Sequence, residues 1–288
     1  MANFLFKFIF RLFTLLPLRV LHRLGALLGR ITYAMSPGYA ARIRENLGQA
    51  GYSLESDEGR RLLKSCIEEA GKGIMELPWV WGRSYEEVLG KVLECRGKEH
   101  FDAAQQEGKS VIYLTPHLGC FELAGQYCAQ HRPIVILYRK PRLEWLEDAM
   151  CKGRGRGKAN LAKADLSGVR LLYKSLKRGE TIGLLPDQVP SGGEGVWADF
   201  FGRPAYTMTL VGRLAEASDA TLLLVCAERR KNGYVMHFEP LPLGHEEPIA
   251  EQINRALENI IRVCPSQYLW SYNRYKVPSG VEPPERNA

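Results

Sequence analysis

Across residues 111–263 short, β-branched apolar runs alternate with helical patterns, and this alternation limits the possible folds more than any other feature of the chain. The runs cover residues 111–115, 134–138, 181–185, 221–226 and 234–238. Helical patterns occupy 121–130, 141–151, 166–177 and 206–217, and another, 249–263, follows the last run. Short strands separated by helices close into a parallel or mixed sheet with helices on its faces. The expected class is therefore α/β, with a central mixed, largely parallel sheet flanked by helices. In such sheets the loops leaving the C-terminal ends of strands carry the chemistry. At 288 residues the chain is long enough to bury a sizeable core, and 45% hydrophobic with 25% charged residues excludes a disordered chain.

The start of the chain has a different character. Residues 4–21 read FLFKFIFRLFTLLPLRVL, with Lys7, Arg11 and Thr14 on one helical face. The stretch from Leu12 to Leu18 is free of Lys and Arg but is short and contains Pro17, whereas a bilayer-spanning helix needs about 20 apolar residues. An interfacial helix over 1–30 that attaches to an anionic membrane surface is the expectation, against the alternative of a helix packed on its own domain. The charge supports it. Lys7, Arg11, Arg19, Arg23, Arg30, Arg42 and Arg44 precede the first acidic residue, Glu45, so the formal net charge of +7 belongs to the first 44 residues. A uniformly basic nucleic-acid binder is excluded by the balanced remainder, and no nucleic-acid partner is expected. The main domain is placed at 31–276, with a helical lobe near 39–100, an α/β core near 101–276 and a flexible tail at 277–288. Seven cysteines without a Cys-x-x-Cys pair argue for a reducing compartment, and no metal site is predicted.

Several motifs fail. There is no Gly-x-Ser-x-Gly elbow, and Gly108-Lys109-Ser110 lacks the first glycine of a phosphate loop. What remains is Pro116-His117-Leu118-Gly119-Cys120-Phe121-Glu122 after the run at 111–115. Five helical residues turn through about 140° beyond a full circle, so His117 and Glu122 meet only if the histidine lies in the loop and the glutamate in the first helical turn. Glu122 would then accept a hydrogen bond from one imidazole nitrogen while the other takes a proton from a hydroxyl. A capping histidine beside a surface glutamate is the alternative. Cys120 is either a packing residue or a nucleophile. Residues 139–163 hold eight basic side chains (Arg139, Lys140, Arg142, Lys152, Arg154, Arg156, Lys158, Lys163) against three acidic ones and suit a phosphate, although a solvated charge run is the ordinary reading. Asp187-Gln188 follows the run at 181–185 as His117 follows its own, which places both in one crevice; Asp187 is a candidate to orient an arginine of the basic segment. Phe200 and Phe201 either wall a pocket or pack in the core.

Together, His117-x-x-x-x-Glu122, Tyr138-Arg139-Lys140-Pro141, Gly153-Arg154-Gly155-Arg156, Leu185-Pro186-Asp187-Gln188, the run from Phe200 to Ala205 and the ending Trp270-Ser271-Tyr272-Asn273-Arg274-Tyr275-Lys276 resemble the bacterial lipid A biosynthesis acyltransferases. The resemblance covers nearly the whole chain. It implies transfer of a fatty acyl chain from acyl carrier protein to a hydroxyl of a phosphorylated, partly acylated glucosamine disaccharide, at the cytoplasmic face of the inner membrane. It implies His117 and Glu122 as catalytic residues, and Arg139, Lys140, Arg154, Arg156, Asp187, Gln188, Phe200 and Phe201 around the substrates. No cofactor is implied beyond the carrier thioester as co-substrate. A lysophospholipid or other glycolipid acceptor, or a non-catalytic membrane- or RNA-binding role, are the competing readings.

Overall fold

The computed structural model describes residues 2–106, 110–141 and 143–284, without the side chains of residues 2–6 and 106. Gly108, Lys109 and Arg142, named above, and residues 285–288 of the expected tail lie outside the described residues. The chain opens with helices α1 (Ala2–Leu15), α2 (Leu18–Met35), α3 (Pro37–Gln49), α4 (Asp57–Met75), α5 (Leu77–Gly82) and α6 (Tyr85–Leu89). Alternation follows: β1 (Val92–Arg96), α7 (Lys98–Gln106), β2 (Val111–Leu114), α8 (Phe121–Cys128), β3 (Ile134–Tyr138), α9 (Glu144–Arg154), β4 (Ala159–Lys163), α10 (Leu166–Lys177) and β5 (Thr181–Leu184). Then come β6 (Gly195–Phe200), β7 (Arg203–Met208), α11 (Leu210–Glu216), β8 (Thr221–Arg230), β9 (Gly233–Pro240) and α12 (Ile249–Val263).

Seven strands form one sheet in the order β1-β9-β8-β2-β5-β3-β4, parallel except that β9 runs antiparallel to β8. The mixed, largely parallel α/β expectation is met. β2 and β5 are adjacent at its centre, and all four residues of each are buried, as expected for strands covered on both faces. Their C-terminal ends therefore emerge side by side. Packed on the faces are two apolar clusters: one holds Ile112, Leu114, Leu118 and the α12 residues Ile253, Leu257, Ile260 and Ile261, the other Tyr113, Leu123, Ile136, Trp79 and Trp81.

Some expectations need correction. Pro17 divides the N-terminal helical pattern in two, since its ring bars continuation of α1 and it then serves as the N-cap of α2. The helical lobe at 39–100 contains β1, which pairs with β9 at the sheet edge. The helix expected at 206–217 begins only at Leu210, because Tyr206 belongs to the β6–β7 hairpin closed by the two-residue turn Phe201-Gly202, both with positive φ. Within the basic segment 139–163 the helix expected at 141–151 runs instead from Glu144 to Arg154, and the strand β4 follows it. Within the tail, the Trp197 indole donates to the Glu282 carbonyl at 3.0 Å.

α2 is not a loose appendage. Leu18 and Leu21 enter the second cluster, and the backbones of α2 and α4 approach closely where Gly25 and Gly29 meet Gly71. The opposite side of α2 is exposed and apolar, with Val20, Leu24, Leu27, Leu28, Ile31 and Met35, and Phe8, Leu12 and Leu15 are likewise exposed on α1. No helix among the described residues is long and apolar enough to cross a membrane.

Candidate active site

His117 stands in the turn between β2 and α8, where Pro116 ends the strand direction and Cys120 caps the helix. Its imidazole Nδ1 lies 2.8 Å from Asp187 Oδ1, and its own backbone amide donates to Asp187 Oδ2 at 2.9 Å. Asp187 follows β5 just as His117 follows β2, so the pairing is a direct result of those two strands being neighbours. Burial works against ionisation of Asp187, but the charge and hydrogen bonds of His117 outweigh it and hold the carboxyl below its ordinary range. The Tyr268 hydroxyl also faces this carboxylate. Gln188 Nε2 lies 3.2 Å from the other imidazole nitrogen, Nε2. Assigning the Nδ1 proton toward the carboxylate leaves Nε2 with its lone pair, in the neutral form able to take a proton.

Every amide of the turn from His117 to Cys120 has an acceptor. Leu118 N donates to Pro116 O at 2.7 Å, Gly119 N to Gln267 O at 3.1 Å and Cys120 N to Ala227 O at 2.8 Å, while His117 O accepts from Leu269 N at 3.1 Å. Gly119 adopts φ 60°, and a Cβ there would lie 2.1 Å from the Ala227 carbonyl oxygen, so only glycine lets the turn sit against β8. Cys120 is buried, and burial raises its thiol far above the usual range. A thiol held protonated is a poor nucleophile, which favours the packing role.

Glu122 does not meet the histidine. Its carboxylate accepts from Trp81 Nε1 at 2.9 Å and from Arg154 Nε at 2.8 Å, with a second bond from Arg154 Nη2. The expected hydrogen bond from the imidazole to Glu122 is thus replaced by one to Asp187, and the expected arginine partner of Asp187 belongs instead to Glu122. Burial alone would lower the Arg154 pKa, yet Glu122 prevails and raises it. The two groups are joined by Phe121, whose ring centroid is 4.9 Å from that of His117. Phe121, Glu122 and Arg154 line a narrow cleft of about 30 Å³ whose other walls are mainly apolar, including Tyr113, Ile134, Ile136 and Leu184.

Arg139 and Lys140 are exposed just beyond β3; Lys140 pairs with Glu147 at 3.1 Å, and Arg139 forms no ion pair among the described residues. Arg156 serves the scaffold: it donates to the carbonyls of Arg83 and Val80 and to Gln126 Oε1, tying α5 and α8 to the end of α9. Phe200 and Phe201 lie in the core against Tyr268 and Trp270 and do not line the cleft. Sequence reasoning missed Trp81, which no motif marks, and the role of Gln267, whose side chain exchanges hydrogen bonds with the Arg229 main chain.

The family profile described as bacterial lipid A biosynthesis acyltransferase matches residues 1–277. The chain is 27% identical over 279 residues to the lipid A biosynthesis lauroyltransferase of Escherichia coli K12, covering 92% of this chain and 89% of that protein. It is 25% identical over 272 residues to the lipid A biosynthesis palmitoleoyltransferase of the same organism, covering 91% and 86%. A lipid A biosynthesis acyltransferase of Haemophilus influenzae is 26% identical over 284 residues, covering 93% and 88%. The chain therefore belongs to the bacterial lipid A biosynthesis acyltransferase family and is an acyltransferase of lipid A biosynthesis.

Proposed function

We propose that the protein transfers a fatty acyl chain from the phosphopantetheine thioester of acyl carrier protein to a hydroxyl of a phosphorylated, partly acylated glucosamine disaccharide, with His117 as general base. The observation that carries this reading is the imidazole bound through Nδ1 to a buried carboxylate, with Nε2 facing a side-chain amide that a substrate hydroxyl can displace. The hydroxyl gives its proton to Nε2 and its oxygen attacks the thioester carbonyl. Asp187 stabilises the imidazolium; the tetrahedral intermediate then expels the carrier thiolate, which recovers the proton. Such a base contributes about 10²- to 10⁴-fold.

The intermediate's oxyanion needs donors, and the amides from His117 to Cys120 are already committed. Arg154 uses Nε and Nη2 on Glu122, which leaves Nη1 to meet the oxyanion at the cleft. Glu122 is then a positioning residue for Arg154. Arg139 and Lys140, exposed beyond β3, meet a phosphate of the acceptor or of the carrier arm. Nothing in this reaction calls for a metal or a resident cofactor. The exposed apolar residues of α1 and α2, with the exposed Lys7, Arg11 and Arg23, rest on the anionic inner-membrane surface, on the cytoplasmic side where the thioester donor is found. Labelled acyl carrier protein should acylate the disaccharide acceptor and not a lysophospholipid. Preference for the lysophospholipid, or for a coenzyme A donor, would overturn the assignment.

A further inference from the structure

A buried ionic group that the reaction above does not use lies behind the catalytic turn. Glu76 caps the C-terminus of α4 and Arg229 is the penultimate residue of β8. Arg229 Nε is 2.9 Å from both Glu76 oxygens, Nη2 makes a further bond to Oε1, and Nη1 lies 3.5 Å from Glu69 Oε2. Tyr234 donates its hydroxyl to Glu76 at 3.0 Å, and His22 of α2 completes the shell at 3.2 Å. Burial disfavours the Glu76 carboxylate, but Arg229 more than compensates and holds it at about 2. A pair that served stability alone is replaceable by apolar residues at little cost. This one has a second contact: Arg229 Nη2 donates to the main-chain carbonyl of Gly119 at 2.6 Å.

Gly119 is two residues from His117, in a turn whose amides all point to fixed acceptors. Its carbonyl is held by a charged side chain, and that side chain is itself held by a buried carboxylate. We propose that Arg229, oriented by Glu76, is a positioning residue for the general base: it fixes the peptide after Gly119 and so holds His117 Nε2 in its place facing the Gln188 amide. The inference rests on the general-base reading of His117. A displacement of about 1 Å at such a group costs on the order of 100-fold in rate.

Arg229→Lys keeps the charge and a bond to Glu76 but cannot also hold Gly119. It is tested beside Glu76→Gln/Arg229→Met, which removes both charges and so leaves neither buried alone. In both variants kcat should fall about 10- to 100-fold with KM for acceptor within about threefold, and the Nδ1 proton resonance of the His117–Asp187 bond should shift in nuclear magnetic resonance spectra. Full kcat with an unmoved imidazole signal in a folded variant overturns the proposal. Should wild-type protein transfer no acyl group from carrier thioesters, the function proposed above fails, while the imidazole signal still decides whether Arg229 positions the turn.

Discussion

Asp187 holds His117 at two points, one oxygen on the imidazole Nδ1 and the other on the backbone amide of the same residue. The carboxylate therefore fixes both the tautomer of the ring and the place of its backbone. Asp187→Asn should lower kcat by about 10²- to 10⁴-fold, because an amide facing Nδ1 can donate and so favours the tautomer with its proton on Nε2. His117→Ala should do at least as much damage, and the double variant little more than His117→Ala, since groups acting as one unit are non-additive. Rates from the two single variants and the pair check this; additive losses would separate the two residues.

Glu122 and Arg154 form the second unit. Glu122→Ala and Arg154→Ala should each reduce kcat by about 10²-fold, as loss of an oxyanion donor does, and the pair should be close to either alone. Combining Glu122→Ala with His117→Ala separates the two models of Glu122. A loss beyond that of His117→Ala alone fits action through Arg154, whereas equality would return Glu122 to the imidazole.

The acid stability of the protein should show the Glu76 ion pair. In the fold Glu76 stays ionised down to about 2, whereas its ordinary value is 4.5. Between these values the unfolded chain binds more protons, so stability falls as pH drops through the window and is fully present above it. Urea unfolding from pH 5 to pH 2 should therefore give a shallower pH slope for Glu76→Gln/Arg229→Met than for wild type. Parallel slopes would deny Glu76 this role.

The exposed row on α2 gives a surface test that deletion cannot. Removing residues 1–30 would also remove Leu21, which is fully buried, and the His22 contact to Glu76, so loss of function would not identify a membrane contact. Leu27→Glu with Ile31→Glu should leave the unfolding temperature within a few degrees, since exposed positions far from special features shift stability little. Sedimentation with anionic vesicles should weaken roughly tenfold or more, because two apolar contacts are lost and two repelled charges added. Unchanged sedimentation would move the lipid contact elsewhere.

The central strands were legible because burial on both faces leaves continuous apolar runs, as in β2, β3 and β5. Edge strands were not: β4 reads Ala-Asn-Leu-Ala-Lys and looks like a solvated loop, and β1, Val-Leu-Glu-Cys-Arg, is broken by charge and has no fully buried residue. Within the site, His117 and Asp187 were each placed at strand ends by pattern. Their pairing depends on which strands are neighbours, and no local spacing encodes that across 70 residues. The same holds for Glu122, whose five-residue distance from His117 suggested a contact, while its partners come from α5 and α9.

α2 meets α4 backbone to backbone, and its outer row is built into the same rigid helix. Whatever surface that row rests on is thus held at a set height and heading relative to His117, without the play that a tether would allow. The reach of the enzyme becomes a dimension of its fold. An acceptor whose hydroxyl sits a few ångströms nearer to or farther from that surface would be discriminated by altitude before any of its functional groups were read.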